Sequence, residues 1–157
     1  MKRKPAESAI TVTNLMSPEH ANHLGNVHGG VIMKIVDETA AIVAMRHVQG
    51  MAVTVAVDSM TFRRPIHIGD IVICTGHVTW VSEHSMEIRV TVKAEHPISG
   101  AQTHTNTAHL VFVAIDKAGR PTEVPGLELE TDAEHALFNA GKERQARRLR
   151  ERSKELD

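Results

Sequence analysis

Residues 22–37, NHLGNVHGGVIMKIVD, gather residue types that can do chemistry together. A helix entered through His28-Gly29-Gly30 directs unpaired backbone N–H groups at whatever lies before it, and glycine lets a ligand come close. Such a nest can hold an oxygen that gains negative charge in a tetrahedral intermediate. Asn22 could orient a carbonyl or a water. Asp37 could activate that water as a general base, or attack directly. An unpaired carboxylate in an apolar helix is costly, so a structural role is equally open. In that reading Asp37 pairs with a backbone group and the glycines only permit a tight bend.

The elements that must position these residues follow from periodicity. Residues 9–15 alternate Ile10 and Val12 with Thr11 and Thr13, a half-buried strand. Ser17-Pro18 closes it. In residues 31–46 the apolar positions cover most of a helix circumference, which predicts a largely buried helix with only Lys34, Glu38 and Arg46 toward water. Gly50 is a natural stop. The period then becomes two: Val53, Val55 and Val57 alternate with Thr54, Ala56 and Asp58. Pro65 and Gly69-Asp70 mark a turn. Residues 71–81, 86–93 and 103–115 read as further strands. Strands joined by short turns are antiparallel. One long helix and one such sheet imply an α+β fold with the sheet curled around the helix.

The tail differs in composition. Thr131-Asp132-Ala133-Glu134 fits a capping box opening a C-terminal helix. Residues 142–154 hold seven basic residues and two acids. They suit a solvated helix, or a basic arm contacting phosphate on a ligand or a neighbouring subunit.

Composition excludes several classes. The chain's 157 residues suit one domain with a real core. A net charge of −1 recruits neither nucleic acid nor anionic membrane, and three Phe, one Trp and no Tyr offer few stacking platforms. No membrane span is expected in 31–48, which charged residues interrupt. A single cysteine, Cys74, and an N-terminus without a signal-peptide core fit the cytoplasm. Cys74 lies in an expected strand, a poor setting for a nucleophile. No hydrolase elbow, zinc-helix or phosphate-loop motif occurs. His20, His23 and His28 share a loop, and His104 and His109 share a strand. Five residues apart on a strand, the latter pair should point to opposite faces, so no metal is expected.

Geometry adds a constraint. With a helix start near Gly30, Asp37 lies roughly 10 Å along the axis, at about 1.5 Å per residue. One reacting carbon cannot touch both the helix entrance and that helix's own Asp37. Either the loop folds back, or a second copy of the chain supplies the other half in a two-fold dimer.

At these residues the sequence resembles the hotdog-fold acyl-CoA thioesterases, in particular the acyl-CoA hydrolase family that includes the brain-type enzyme and small bacterial relatives. The matching pieces begin with residues 22–30, 32–38 and 44–47. They continue through Val53-Thr54-Val55-Ala56-Val57-Asp58, Phe62-Arg63-Arg64-Pro65-Ile66, Gly69-Asp70 and Ser85-Met86-Glu87. They end with residues 111–116, Pro121 and Val124-Pro125. The resemblance spans residues 8–127, leaving 128–157 as a charged helical tail.

It implies a hotdog fold, an antiparallel sheet wrapped around one central helix. It implies hydrolysis of acyl-CoA to fatty acid and CoA without a cofactor beyond CoA itself as substrate moiety. Catalytic asparagine and aspartate carry over to Asn22 and Asp37 on opposing subunits, and the carbonyl would lie at His28, Gly29 and Gly30. It further implies a homo-oligomer, a hotdog dimer assembled to a trimer of dimers. Basic residues should meet the CoA phosphates: Arg63 and Arg64 first, Arg89 and Lys93 as weaker candidates. Ser85 matches a position near the nucleotide groove, although Glu83-His84 replaces the more usual glycine-containing turn. Met33, Val36 and Val55 are candidates for the acyl pocket. Two alternatives stand beside this: a hotdog hydratase or dehydratase using His28 with Asp37 or Glu38, and a non-catalytic acyl-CoA-binding module.

Overall fold

The computed structural model describes residues 1–58 and 60–156. Its elements in chain order are β1 (Lys2–Arg3), β2 (Ile10–Leu15), α1 (Gly29–Val48), β3 (Met51–Val57), β4 (Ile71–Val81), β5 (Ser85–Glu95), β6 (Gln102–Ile115), β7 (Gly126–Leu127) and α2 (Asp132–Glu155). Five strands form an antiparallel sheet in the order β2-β4-β5-β6-β3. β1 and β7 form a separate parallel pair.

The inner face of the sheet is apolar because alternate residues of β4 and β5 are. Val72, Cys74, Val78, Ile88, Val90 and Val92 are buried there with Ile32, Val36, Ala40, Val43 and Ala44 of α1. Gly76 permits the close approach of helix and sheet. A Cβ there would lie 3.2 Å from both Thr39 Cγ2 and Val43 Cγ2. The helix is buried along one side only. Met33 and Met45 are exposed, which the broad apolar spread of its sequence did not separate from the core side.

The helix ends before Gly50. The left-handed residue is Gln49, with φ 52°, the one described non-glycine residue with positive φ. Two residues earlier, His47 is fully buried and its Nε2 lies 2.8 Å from the Pro125 carbonyl. Burial lowers its pKa below the ordinary histidine range.

Two expectations of pairing change. β3 does not pair with β4: β3 lies at one edge of the sheet, beside β6, and residues 60–70 lead into β4 beside β2 near the other. The turn residues Pro65 and Gly69-Asp70 therefore belong to a long crossing loop. In β6 the register shifts at Thr105, so His104 opposes Lys93 while His109 opposes Arg89. That extra residue puts both histidines on the same, outer face. Simple alternation fails wherever a bulge inserts one residue.

α2 opens as its sequence indicates. Thr131 Oγ1 accepts from the Glu134 amide at 3.1 Å, while the Glu134 carboxylate reaches Glu130 N rather than the cap's own amide. The helix then crosses the outer face of the sheet. Gly141 is needed at the crossing, since a Cβ would stand 2.8 Å from Glu87 Oε1 and from Trp80 Cβ. The basic run divides. Arg144 and Arg148 turn inward to Glu87 and Asp58, and Lys142, Arg147, Arg150, Arg152 and Lys154 are exposed. Thr131→Ala is expected to cost about 1 kcal/mol. Thermal unfolding should register it as a Tm lower by roughly 2–4 °C.

Candidate active site

The loop before α1 is held by its own backbone and one side chain. Asn22 N donates to Asn26 O at 2.7 Å, and Gly25 N to Asn22 O at 3.1 Å. Asn22 Oδ1 accepts from the amides of Leu24 (2.9 Å) and Asn26 (3.1 Å). The side-chain NH2 of Asn22 has no partner among the described residues. Val27 N donates to Ile66 O and His28 N to His20 O, both at 2.8 Å, so the loop is sewn to the crossing segment.

His28 is the N-cap of α1. Its Nδ1 accepts the Gly30 N–H at 2.9 Å. This differs from a nest in which both glycine amides await a ligand. Gly30's amide is spent, and Gly29's N–H is the one left without a partner among the described residues. Phe62 stands 3.5 Å from where a Gly29 Cβ would be, at ordinary van der Waals distance, so its ring lies against the helix entrance. A cavity of about 230 Å³ lies at this entrance, lined by Asn22, Asn26, Gly29, Ile32, Phe62 and Arg64 among others. His28 makes no bond to Asp37 or Glu38, and Glu38 faces Lys34 at 3.9 Å. The histidine–acid pair of a hydratase is therefore not assembled within the chain.

Asp37 is half-buried, eight residues beyond Gly29, about 12 Å along the axis at 1.5 Å per residue. It does not line the entrance cavity. Its Oδ1 accepts a 2.8 Å hydrogen bond from Thr54 Oγ1 of β3. Thr54 was not picked out from the sequence. Alternation puts it on one face with Ala56, but the β3 register shifts between them. That bulge at Val55 turns Thr54 inward to α1 and Ala56 outward, and no residue type in the sequence marks it.

The remaining candidates fall into separate places. Arg64 lines the entrance cavity and also a neighbouring groove with His67, Asp70, His96 and Thr103. Arg63 is exposed on the same loop. Ser85 begins β5 at the opposite end of the hairpin, about 30 Å away along the strand at roughly 3.3 Å per residue. Its turn is tied down by Ser82 and by His84, whose Nδ1 lies 2.9 Å from Thr122 O. Arg89 and Lys93 lie on the outer face, opposite α1. Met33 is 47% and Val55 56% exposed, whereas Val36 is closed inside the core, so one chain does not bring these three to a common cavity. Cys74 is buried and burial pushes its thiol up to about 11, which leaves almost no thiolate at neutral pH.

One edge of the sheet is uncovered. Met51, Val53, Val55 and Val57 of β3 are all more than 40% exposed, and Met33 and Met45 add to the exposed apolar surface of α1. A long apolar edge strand is a template for pairing with another chain. Among the described residues, no helix is long and apolar enough to cross a membrane.

Residues 24–101 match the Thioesterase superfamily. A Bacillus subtilis protein named as an acyl-CoA thioester hydrolase is 37% identical over 138 residues, covering 88% of this chain and 80% of its own. An apo-hexameric acyl-CoA thioesterase superposes with a TM-score of 0.91 at 33% identity, over 96% of both chains. The acyl-CoA hydrolase of Staphylococcus aureus, solved with butyryl coenzyme A and coenzyme A, gives a TM-score of 0.90 at 31% identity. That match covers 99% of this chain and 94% of the other. The S. aureus enzyme has also been solved with an aspartate, an asparagine or a threonine changed to alanine. A curled antiparallel sheet around one helix, entered through a glycine-bearing loop, together with this similarity over nearly the whole chain, makes the protein a member of the hotdog-fold acyl-CoA thioester hydrolases of the thioesterase superfamily.

Proposed function

We propose that this protein hydrolyses acyl-CoA thioesters to the free acid and coenzyme A, at sites shared between two copies of the chain. The observation that carries the reading is the separation of Asp37 from the Asn22–Gly29 entrance on one chain, with an uncovered β-edge beside Asp37. Pairing of β3 with β3 of a second copy about a two-fold axis would bury the exposed valines. It would also bring each entrance loop to the other chain's aspartate. A trimer of such dimers extends the assembly, in keeping with the hexameric neighbour.

In this mechanism the Gly29 N–H donates to the thioester carbonyl oxygen, and the free NH2 of Asn22 positions the carbonyl or the attacking water. Thr54 fixes Asp37 through Oδ1, leaving Oδ2 to take the proton from water. The water oxygen adds to the carbonyl carbon, the charge gathers on the carbonyl oxygen, and the C–S bond breaks as the tetrahedral intermediate collapses. A thiol with a pKa of about 8.5 leaves without much help from an acid. So sparse a set of groups suits a thioester better than an amide. Asn22, Asp37 and Thr54 follow one another at the same intervals as the asparagine, aspartate and threonine altered in the S. aureus enzyme. Arg64, at the rim of the entrance cavity, and Arg63 beside it are the cations placed to meet CoA phosphate, with Ser85 reaching a ligand only from another subunit. Met33, exposed on α1, is the side chain available to an acyl chain, whereas Val55 lines a groove with Gln145 and Leu149 of α2.

Thiol release assayed over acyl-CoAs from acetyl to palmitoyl tests the activity. Release of CoA without hydration of crotonyl-CoA is expected, and no release from any chain length would overturn the reading. Thr54→Val should lower kcat by about 10–150-fold, corresponding to about 1.5–3 kcal/mol for a hydrogen bond to a charged group, with KM little changed.

A further inference from the structure

The outer face of the sheet, away from α1, carries a second cluster apart from Asn22, Gly29, Asp37 and Thr54. His77 of β4, Arg89 of β5 and His109 of β6 stand directly opposite one another in register. Cross-strand neighbours of this kind have Cβ atoms about 5 Å apart. All three side chains are half-buried, and none has a hydrogen-bond or ion-pair partner among the described residues.

The reason for Arg89's isolation is visible two residues away. Glu87 on the same face is saturated. Its Oε1 accepts from Thr79 Oγ1 (2.6 Å) and Arg144 Nη2 (2.8 Å), and its Oε2 from Arg144 Nε (2.9 Å) and Arg148 Nη2 (2.7 Å). Asp58 is likewise taken by Arg148. Arg89 is left as a half-buried guanidinium with a fork of donors and no carboxylate. A cavity beside His109 is lined by Arg147, exposed and without an ion-pair partner among the described residues, and by Glu151 one turn further along α2. Glu134 is the acid that acts on His77.

We propose that Arg89, flanked by His77 and His109, is a binding site for a phosphate monoester dianion. A guanidinium fork matches phosphate oxygens two at a time. A neutral imidazole on each side supplies an N–H donor and gains a proton as negative charge arrives. Both histidines sit below the ordinary range. Burial is the first cause for each. Arg89 comes second for His77, against Glu134; for His109, Arg144 and Arg89 lower it further, against Glu87 and Asp58, which raise it. An anion on Arg89 removes part of that repulsion. The site lies on the face of the sheet opposite α1, and its occupancy does not depend on thioester cleavage.

Inorganic phosphate added to the full-length protein, with imidazole resonances followed by NMR against pH, tests this directly. The midpoints of His77 and His109 are expected to rise by about 0.5 unit or more. His104, two rows along the same face and bonded to Thr107, should move less. Arg89→Gln should weaken phosphate binding, measured by calorimetry, by at least about 10-fold. Arg147→Gln, a change at an exposed residue, should weaken it less. Adenosine 3′,5′-bisphosphate as a second probe separates sources. Binding at least about tenfold tighter than phosphate marks a nucleotide-borne group, and equal binding marks the free ion. Unmoved midpoints of His77 and His109 in the wild-type protein would overturn the proposal, as would undiminished phosphate affinity in a folded Arg89→Gln variant.

Discussion

Asp37→Asn is expected to lower kcat for acyl-CoA hydrolysis by about 10²–10⁴-fold, the range contributed by a positioned general base. The asparagine keeps the shape of the side chain and can still accept the Thr54 hydroxyl proton at Oδ1. What it loses is the oxygen that takes a proton from water. CoA affinity should therefore persist, since the substitution leaves Arg63 and Arg64, the cations proposed to meet the CoA phosphates, unchanged. Steady-state thiol release and calorimetry with CoA separate these effects. A variant with undiminished turnover would remove Asp37 from the chemistry.

The second large effect is on stability. Glu87 is 0% exposed, beneath α2, and holds Arg144 and Arg148 there. Glu87→Gln leaves Arg144 without a counter-charge at the helix crossing and should cost about 3–5 kcal/mol, as breaking one partner of a buried pair does. Total stability for such a domain is about 5–15 kcal/mol, so the loss should be plain in urea unfolding. Early amide exchange along α2 should accompany it. Replacing Glu87, Arg144 and Arg148 together by apolar residues of similar size should cost far less.

The same network gives a pH dependence. Burial alone raises the Glu87 pKa; hydrogen bonds from Arg144, Thr79 and Arg148 outweigh it and hold the carboxyl at about 2, against an ordinary 4.5. Between these values the unfolded chain binds more protons than the folded one. The stabilisation is thus complete above about pH 5 and is lost as pH falls from about 4.5 toward 2. Its size is on the order of 3 kcal/mol at 1.36 kcal/mol per unit. Acid unfolding should begin at higher pH in Arg144→Ala than in the native chain.

Much of this was legible in the residues because period and punctuation speak plainly where a face is buried. The span of β4 was read from residues 71–81 alone, and α1 and β6 came within two residues at either end. What escaped reading depends on contacts between distant segments. The bulges at Val55 and Thr105 carry no residue signature, yet each decides which face the neighbouring side chains meet. The first brings Thr54 to Asp37; the second sets His104 and His109 on one side. The inward turn of Arg144 and Arg148 was hidden because a basic helix over an unseen acid looks the same as a solvated one. The division of glycine roles at the entrance required knowing that the His28 ring caps Gly30.

The shared site is the central claim, and it has a direct test in subunit mixing. Asn22→Ala and Asp37→Ala chains, each nearly inactive alone, are unfolded together in equal amounts and refolded. A dimer containing one of each has one site with both residues intact and one with neither. Random pairing then predicts recovery to about a quarter of the native turnover. No recovery in a mixture shown to contain mixed dimers would mean that Asn22 and Asp37 act from the same chain, and the composite site would be wrong.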